Sequence, residues 1–548
     1  MEYLEFFSDF RLVLLFGVSA LISLLSCTTI ATRIAAVNTK KVAMAFAVYN
    51  IFFLVTRFAN LFYLPYLGIY IDRAEETQEF FRLEQQIRFL IYGNLFGTAV
   101  GWFLLPSFVE FYQKAIEALD KYKSMVKVII LFITKPANWV KAIKCFKAPS
   151  FMGAKLFKLE GAPANFLIFN MFATAIWTVG ALCALYASGV HPEVKRTAVL
   201  LSGLVNALAA IFFSVIVDPK ASLITDNIVK GETKEQQIYA VSLHLMLGNV
   251  LGAVIAQFFF MPGANLISST AVAMGNSEMT GNYIILAIFN ALVMLKSSTT
   301  YSSRISAVKT RSVATAIAIY NFFFLLTRLS QQIFAPFIGT MVDSAVKHNL
   351  PAGVLEGQFR WLIGGSTLGA LLGFILLPTF VEIYVKAIRG MTKYGSLDKL
   401  ILMTCIKPSI WLKAIQCFRM PSFMGVKLSD MKSIPRNFLI ANIIVISFHT
   451  VGVLAATFAS FAYPDARGVT LLSSVINGVA TILLSLLVDP TIAVITDNAI
   501  EGKRPFSDVC SMAVFLALGT VIGTIISQII FMPSVWFIQF CSSILGAV

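Results

Sequence analysis

The sequence predicts an all-α polytopic membrane protein of about 12 transmembrane helices, built as two parallel six-helix repeats with a pseudo-twofold axis along the membrane normal. Three observations lead there. Of the 548 residues 58% are hydrophobic and only 13% charged, with a mean hydropathy of +0.80, well beyond soluble composition. Apolar runs of roughly 20 residues, the length that crosses a hydrocarbon core of about 30 Å, recur along the chain. The second half then repeats the first at an offset of 271 or 272 residues from end to end.

In the first half the expected spans are approximately 11–31, 43–71, 89–111, 166–188, 197–217 and 239–261, and in the second 283–301, 314–342, 361–384, 438–460, 469–488 and 511–532. This gives a first repeat at 1–262, an extracytoplasmic linker rich in Gly, Ser and Thr at 263–282, and a second repeat at 283–548. The N-terminus lacks a basic run ahead of its first span, which has a counterpart in the second half, so it is expected to be kept as a helix rather than cleaved.

Orientation follows from the loops. Segment 113–165 carries ten Lys against three acids and 385–437 ten Lys or Arg against two, which places both in the cytoplasm, whereas 72–87 has five acids against two Arg and suits the outside. With six spans per half, both termini are expected to be extracytoplasmic. The basic loops mix lysines with Trp, Phe and Ile, from Lys135 and Trp139 to Gly153 and again from Lys407 and Trp411 to Gly425. Such segments suit an interface with anionic membrane lipids, as topological anchors or as surfaces that recruit substrate. The net charge of +15 is accounted for there, and no nucleic-acid partner is expected.

Span two carries the polar feature. Tyr49, Asn50, Thr56 and Arg57 recur as Tyr320, Asn321, Thr327 and Arg328 within a nine-residue string identical at seven positions. Asn50, Arg57 and Asn60 fall on one helical face, as do Asn321, Arg328 and Gln331. An arginine at mid-membrane is costly, by about 2.5–3.5 kcal/mol even on the lenient insertion scale, and implies either a watery path or a buried partner. Guanidinium holds phosphate bidentately and cannot be neutralised by deprotonation, which suits an anionic phosphorylated substrate.

Other spans supply further candidates. Span one ends before Arg33, and its copy before Arg304; Lys296 is unmatched in the first half, as a third cation of the second half or a lysine snorkelling to the cytoplasmic face. Gly93, Gly97 and Gly101 in span three, and Gly365, Gly369 and Gly373 in its copy, form stripes expected to pack against another helix backbone. Asp218-Pro219 and Asp489-Pro490 read as helix starts with Asp as N-cap, or alternatively as gating or coupling carboxylates. Glu110 with Lys114 and Glu382 with Lys386 are i,i+4 pairs at the inner end of span three, most simply interfacial salt bridges, and both glutamates stand with the two aspartates as gating or coupling candidates. No Walker A sequence, no histidine pair at metal spacing and no catalytic constellation occurs, so no enzyme, metal or other cofactor is expected. The seven scattered cysteines do not suggest a disulfide framework.

From Thr32, Arg33 and Asn38 into Tyr49, Arg57 and Pro65, and from Ser303, Arg304 and Lys309 into Tyr320, Arg328 and Pro336, the chain resembles the Amj family, bacterial alternate lipid II flippases. The Val-Asp-Pro and Thr-Asp blocks at Asp218 and Asp489 are similar to that family too. Each half corresponds to one family member, so the chain reads as a tandem fusion, compatible with function as a monomer. The resemblance implies a multi-pass protein of the cytoplasmic membrane that exports lipid II, the undecaprenyl-pyrophosphate-linked precursor of peptidoglycan. The residues alone leave open another lipid-linked sugar or organic anion as substrate, or a structural subunit whose arginines sit in internal ion pairs.

Overall fold

A computed structural model describes residues 6–39, 42–122, 125–149, 164–217, 221, 224, 225, 228, 234–275, 282–297, 299–310, 313–394, 416–420, 422–463, 468–500 and 502–544. These residues form helices and no strands, as a bilayer requires of a chain that must satisfy its backbone internally. Nine of the helices are long and apolar enough to cross a membrane, or eleven where each of two bent pairs makes one span.

The first compact unit contains Met1–Asn276 with Tyr463–Ser474 and Ser542–Val548. Its helices are α1 (Phe10–Thr39), α2 (Val42–Thr77), α3 (Phe80–Phe103), α4 (Leu105–Tyr122), α5 (Met125–Thr134), α6 (Pro136–Ile143), α7 (Ala164–Val190), α8 (Lys195–Leu200), α9 (Ser202–Ile211) with a π-helical turn Phe212–Val217, and α10 (Gln236–Gly275). The two largest apolar clusters among its described residues hold it together. Leu12, Leu67, Ile71, Ile87, Leu90 and Phe260 form one, and Ile34, Tyr112, Ile116, Ile238 and Met246 the other.

Close helix approach is set by the glycine stripe, as the spacing predicts. A Cβ at Gly93 would meet the Phe16 carbonyl oxygen at 2.8 Å, and one at Gly97 would overlap the Ala20 backbone. In α10, Gly248 lies under the Asn170 amide and Gly252 against Met171 and Thr174 of α7. Lipid tails are as apolar as the side chains, so association here depends on this backbone contact and on interhelical hydrogen bonds. Asn170 supplies one, donating to the Leu245 carbonyl at 2.9 Å.

The second unit, Ser277–Ala462 with Val475–Cys541, repeats these devices. It contains α11 (Tyr283–Ser297), α12 (Thr299–Thr310), α13 (Val313–Lys347), α14 (Ala352–Ile375), α15 (Leu377–Tyr394) and α16 (Arg436–Ala459). The chain then passes through α17 (Gly468–Leu471), which belongs to the first unit, before α18 (Ser473–Leu483), a π-helical turn Leu484–Val488, α19 (Asp489–Ile500) and α20 (Phe506–Ile544). Gly365 and Gly369 meet the backbones of Ala287 and Ala291, and Asn442 donates to the Leu516 carbonyl at 3.2 Å.

Several expectations are corrected. Span three does not run straight through 89–111: α3 begins at Phe80 and ends at Phe103, and α4 turns away by 68°, as α15 turns from α14 by 65°. The cause is the proline that follows, Pro106 or Pro378, which suits the first turn of a new helix and disfavours a continuous one. Glu110 and Glu382 therefore lie on the bent amphipathic segment and not at the end of a straight span. The segment expected as a linker from 263 is helical to Gly275, because α10 continues through Pro262. Asp489 is not an extended N-cap. Its backbone is α-helical at φ −60° and ψ −44°, and the chain enters it from the π-helical turn, whose wider ring leaves room for a proline lacking its N–H. Asp218 lies outside the described residues.

Candidate functional site

The helices expected to carry the central cations are present and continuous through them: α2 through Asn50 and Arg57, α13 through Asn321 and Arg328. The side chains of these four residues, and that of Lys296, lie outside the described residues. The neighbours on the same faces are described. Asn60 turns back on its own helix, its Nδ2 donating to the Thr56 carbonyl at 3.0 Å, and Gln331 is exposed.

Arg33 is buried near the end of α1, at 8% exposure, beside Thr32 and one turn from Thr28, to which Tyr112 Oη is hydrogen-bonded at 3.0 Å. Its counterpart Arg304 on α12 is partly buried and its Nε makes no hydrogen bond among the described residues. Arg304 lies in electrostatic range of both Asp489 and Tyr320. Their neighbours Ile305, Val488 and Ile492 belong to one apolar cluster. Thus two candidates that sequence spacing left separate, a cation of span one and the carboxylate of the Asp-Pro turn, form one charged neighbourhood in the second unit.

Glu110 accepts from Lys114 at 3.2 Å, as its spacing predicts, and also from Lys147 at 2.9 Å, which spacing does not predict. The same residue of the basic loop is held a second time: Ser107 Oγ accepts from the Lys147 backbone N–H at 2.9 Å and donates to the Lys147 carbonyl at 3.2 Å. The second unit repeats this latch with Thr379, Arg419 and Glu382, at 3.0 and 3.2 Å for the hydroxyl bonds and 3.7 Å for the ion pair. The basic loop is thereby fixed to the amphipathic helix just after the bend. Between α1, α4 and α10 of the first unit this arrangement leaves a polar pocket of about 470 Å³, bordered by Glu110, Gln113, Lys147 and Tyr239.

A second repeated cluster was missed because span three was expected to begin at Phe89. Arg88 Nε donates to Glu84 at 2.9 Å and Arg88 Nη1 to the Gln257 carbonyl at 3.0 Å, while Gln257 Nε2 returns a bond to the Arg88 carbonyl at 3.0 Å. Arg360, Glu356 and Gln528 make the same set at 2.8, 2.8 and 2.9 Å. This fork joins α3 to α10 and α14 to α20. The shared offset of 271 or 272 was the available signal.

A helical membrane protein of two homologous units, each clamped by the same arginine fork and latched at the same basic loop, is a duplicated integral membrane protein. The family model described as "Alternate to MurJ" matches residues 18–271 and again 289–542. The chain belongs to the Amj family, of which it contains two tandem copies. Among its relatives is a protein of Bacillus subtilis (strain 168) named Lipid II flippase Amj, 32% identical over 257 residues, a stretch that covers 46% of this chain and 95% of that protein. No solved structure matches.

Proposed function

We propose that this chain is a lipid II flippase of the cytoplasmic membrane, a transporter rather than an enzyme. The observation that carries the reading is that a single half of the chain spans nearly the whole of a relative named for that activity, and that the family unit occurs twice. Twelve spans in two parallel repeats, with both termini outside, complete the arrangement. Arg57 and Arg328 bind the pyrophosphate while the prenyl tail stays in lipid. Arg33, Arg304, Asn50, Asn321, Asn60, Gln331 and Lys296 are the further contacts, and Asp218, Asp489, Glu110 and Glu382 the gating or coupling carboxylates.

The driving force need not be chemical. An anion leaving a negative-inside cell gains about 2.3 kcal/mol per charge per 100 mV, enough to bias export without ATP. The amphipathic segment supports contact with anionic lipids. On α5 and α6 the apolar side chains Ile133, Trp139 and Ile143 are exposed among Lys135, Lys141 and Lys144, a composition that sits at a headgroup boundary. Fusion of two units leaves the single chain sufficient as the working species.

The test is translocation in liposomes, with lipid II and an unrelated prenyl-linked sugar side by side. Lipid II should cross in a protein-dependent manner. Equal transport of both lipids, or transport of neither, overturns the assignment of lipid II.

A further inference from the structure

The pocket at the bend has no part in the sequence reading, and its chemistry differs from that of the arginine helices. Its floor is apolar, from Pro106 and Val109. Its walls carry amides and a phenol: Tyr239 Oη donates to Asn38 Oδ1 at 3.2 Å, which leaves the Asn38 amine uncommitted, and the Gln113 amide makes no hydrogen bond among the described residues. Both oxygens of Glu110 are taken by lysines, one by Lys147 on the lining and the other by Lys114 beside it, so around this edge two cations face one carboxylate. Uncommitted amides beside an apolar floor match the hydroxyl and acetamido groups and the C–H face of a sugar, and the cationic edge matches a neighbouring phosphate.

The second unit provides an internal control. Pro378, Val381, Glu382 and Arg419 keep the latch, but the positions of Asn38, Gln113 and Tyr239 are Lys309, Val385 and Cys510. Val385 and Cys510 are buried in an apolar cluster there. The latch therefore persists without the amide and phenol walls, which are a separate property of the first unit. The volume, about 470 Å³, lies within the roughly 300–1,000 Å³ of small-molecule sites.

We propose that this pocket of the first unit binds the sugar headgroup of the lipid-linked substrate, with Gln113, Asn38 and Tyr239 reading the saccharide and Lys147 the adjoining phosphate. The two halves are then unequal, the first selecting the headgroup. The inference rests on the lipid II reading, and the experiment separates the two. Binding of lipid II and of sugar-free undecaprenyl pyrophosphate is measured for the full chain in nanodiscs, for wild type, Gln113→Val and Tyr239→Phe, beside thermal unfolding. Gln113→Val copies the residue of the second unit, and Tyr239→Phe keeps the ring.

Wild type should prefer lipid II, and each variant should lose about three- to tenfold in lipid II affinity while undecaprenyl pyrophosphate binding is unchanged. If a folded variant binds lipid II as wild type does, or loses affinity for both lipids equally, the pocket does not read sugar, and the transport function is untouched. If wild type binds no lipid II, the functional reading falls and the headgroup pocket with it. Should Gln113→Val unfold, Tyr239→Phe decides between the same outcomes.

Discussion

Replacing Arg88 by alanine tests whether the repeated fork holds each unit together. The guanidinium donates to Glu84 through Nε and to the Gln257 carbonyl through Nη1, and lies 5.6 Å from the Phe260 ring centroid. Truncation removes all three contacts and strands the Glu84 carboxylate, whose side chain is only 19% exposed. Breaking a buried pair in this way costs about 3–5 kcal/mol, and partial access to solvent places Arg88→Ala at the lower end, about 3 kcal/mol. The return bond from Gln257 to the residue-88 carbonyl survives, because it uses backbone. Adding Glu84→Gln removes the stranded charge, so the double variant should recover much of the loss. Arg88→Lys should recover less than wild-type stability, since an ammonium lacks the planar fork. Thermal unfolding in detergent, read beside abundance in the membrane, gives the comparison. If Arg88→Ala melts with wild type, or Glu84→Gln recovers nothing, the fork is not what joins α3 to α10.

The remaining predictions concern site, topology, packing and latch. Arg57→Ala or Arg328→Ala should leave folded, abundant protein that transports less, each lost charge-assisted contact being worth about 1.5–3 kcal/mol; normal transport per folded molecule in both would remove the arginines from the path. Cysteines placed at Glu76 or at exposed positions within 263–282 should react with an impermeant thiol reagent in intact cells, and one at Lys144 should not; labelling at Lys144 reverses the orientation. Gly97→Ala sets a methyl into the Ala20 backbone and should destabilise by at least about 1–3 kcal/mol, visible as a lowered melting temperature. Ser107→Ala removes both hydroxyl bonds to Lys147 and should speed proteolysis of the basic loop, while unchanged cleavage would show that the ion pair alone holds it.

The sequence by itself determined the membrane class, the duplication and the helix-packing stripes. Each of these is a property of composition, offset or local period. Apolar runs must become helices in lipid, and glycine at every fourth residue of one helix is a surface whatever it meets. The i,i+4 contact of Glu110 with Lys114 was legible for the same reason, since it lies within one helix. Only the tertiary structure decided the bend after Phe103, which depends on how one proline is accommodated between two helices. It alone joined Arg88 to Gln257, Lys147 to Ser107 and Arg304 to the neighbourhood of Asp489, pairs separated by 169, 40 and 185 positions. Nothing in a local pattern encodes such a meeting. It arises from the packing of whole helices, which sets distant polar groups side by side.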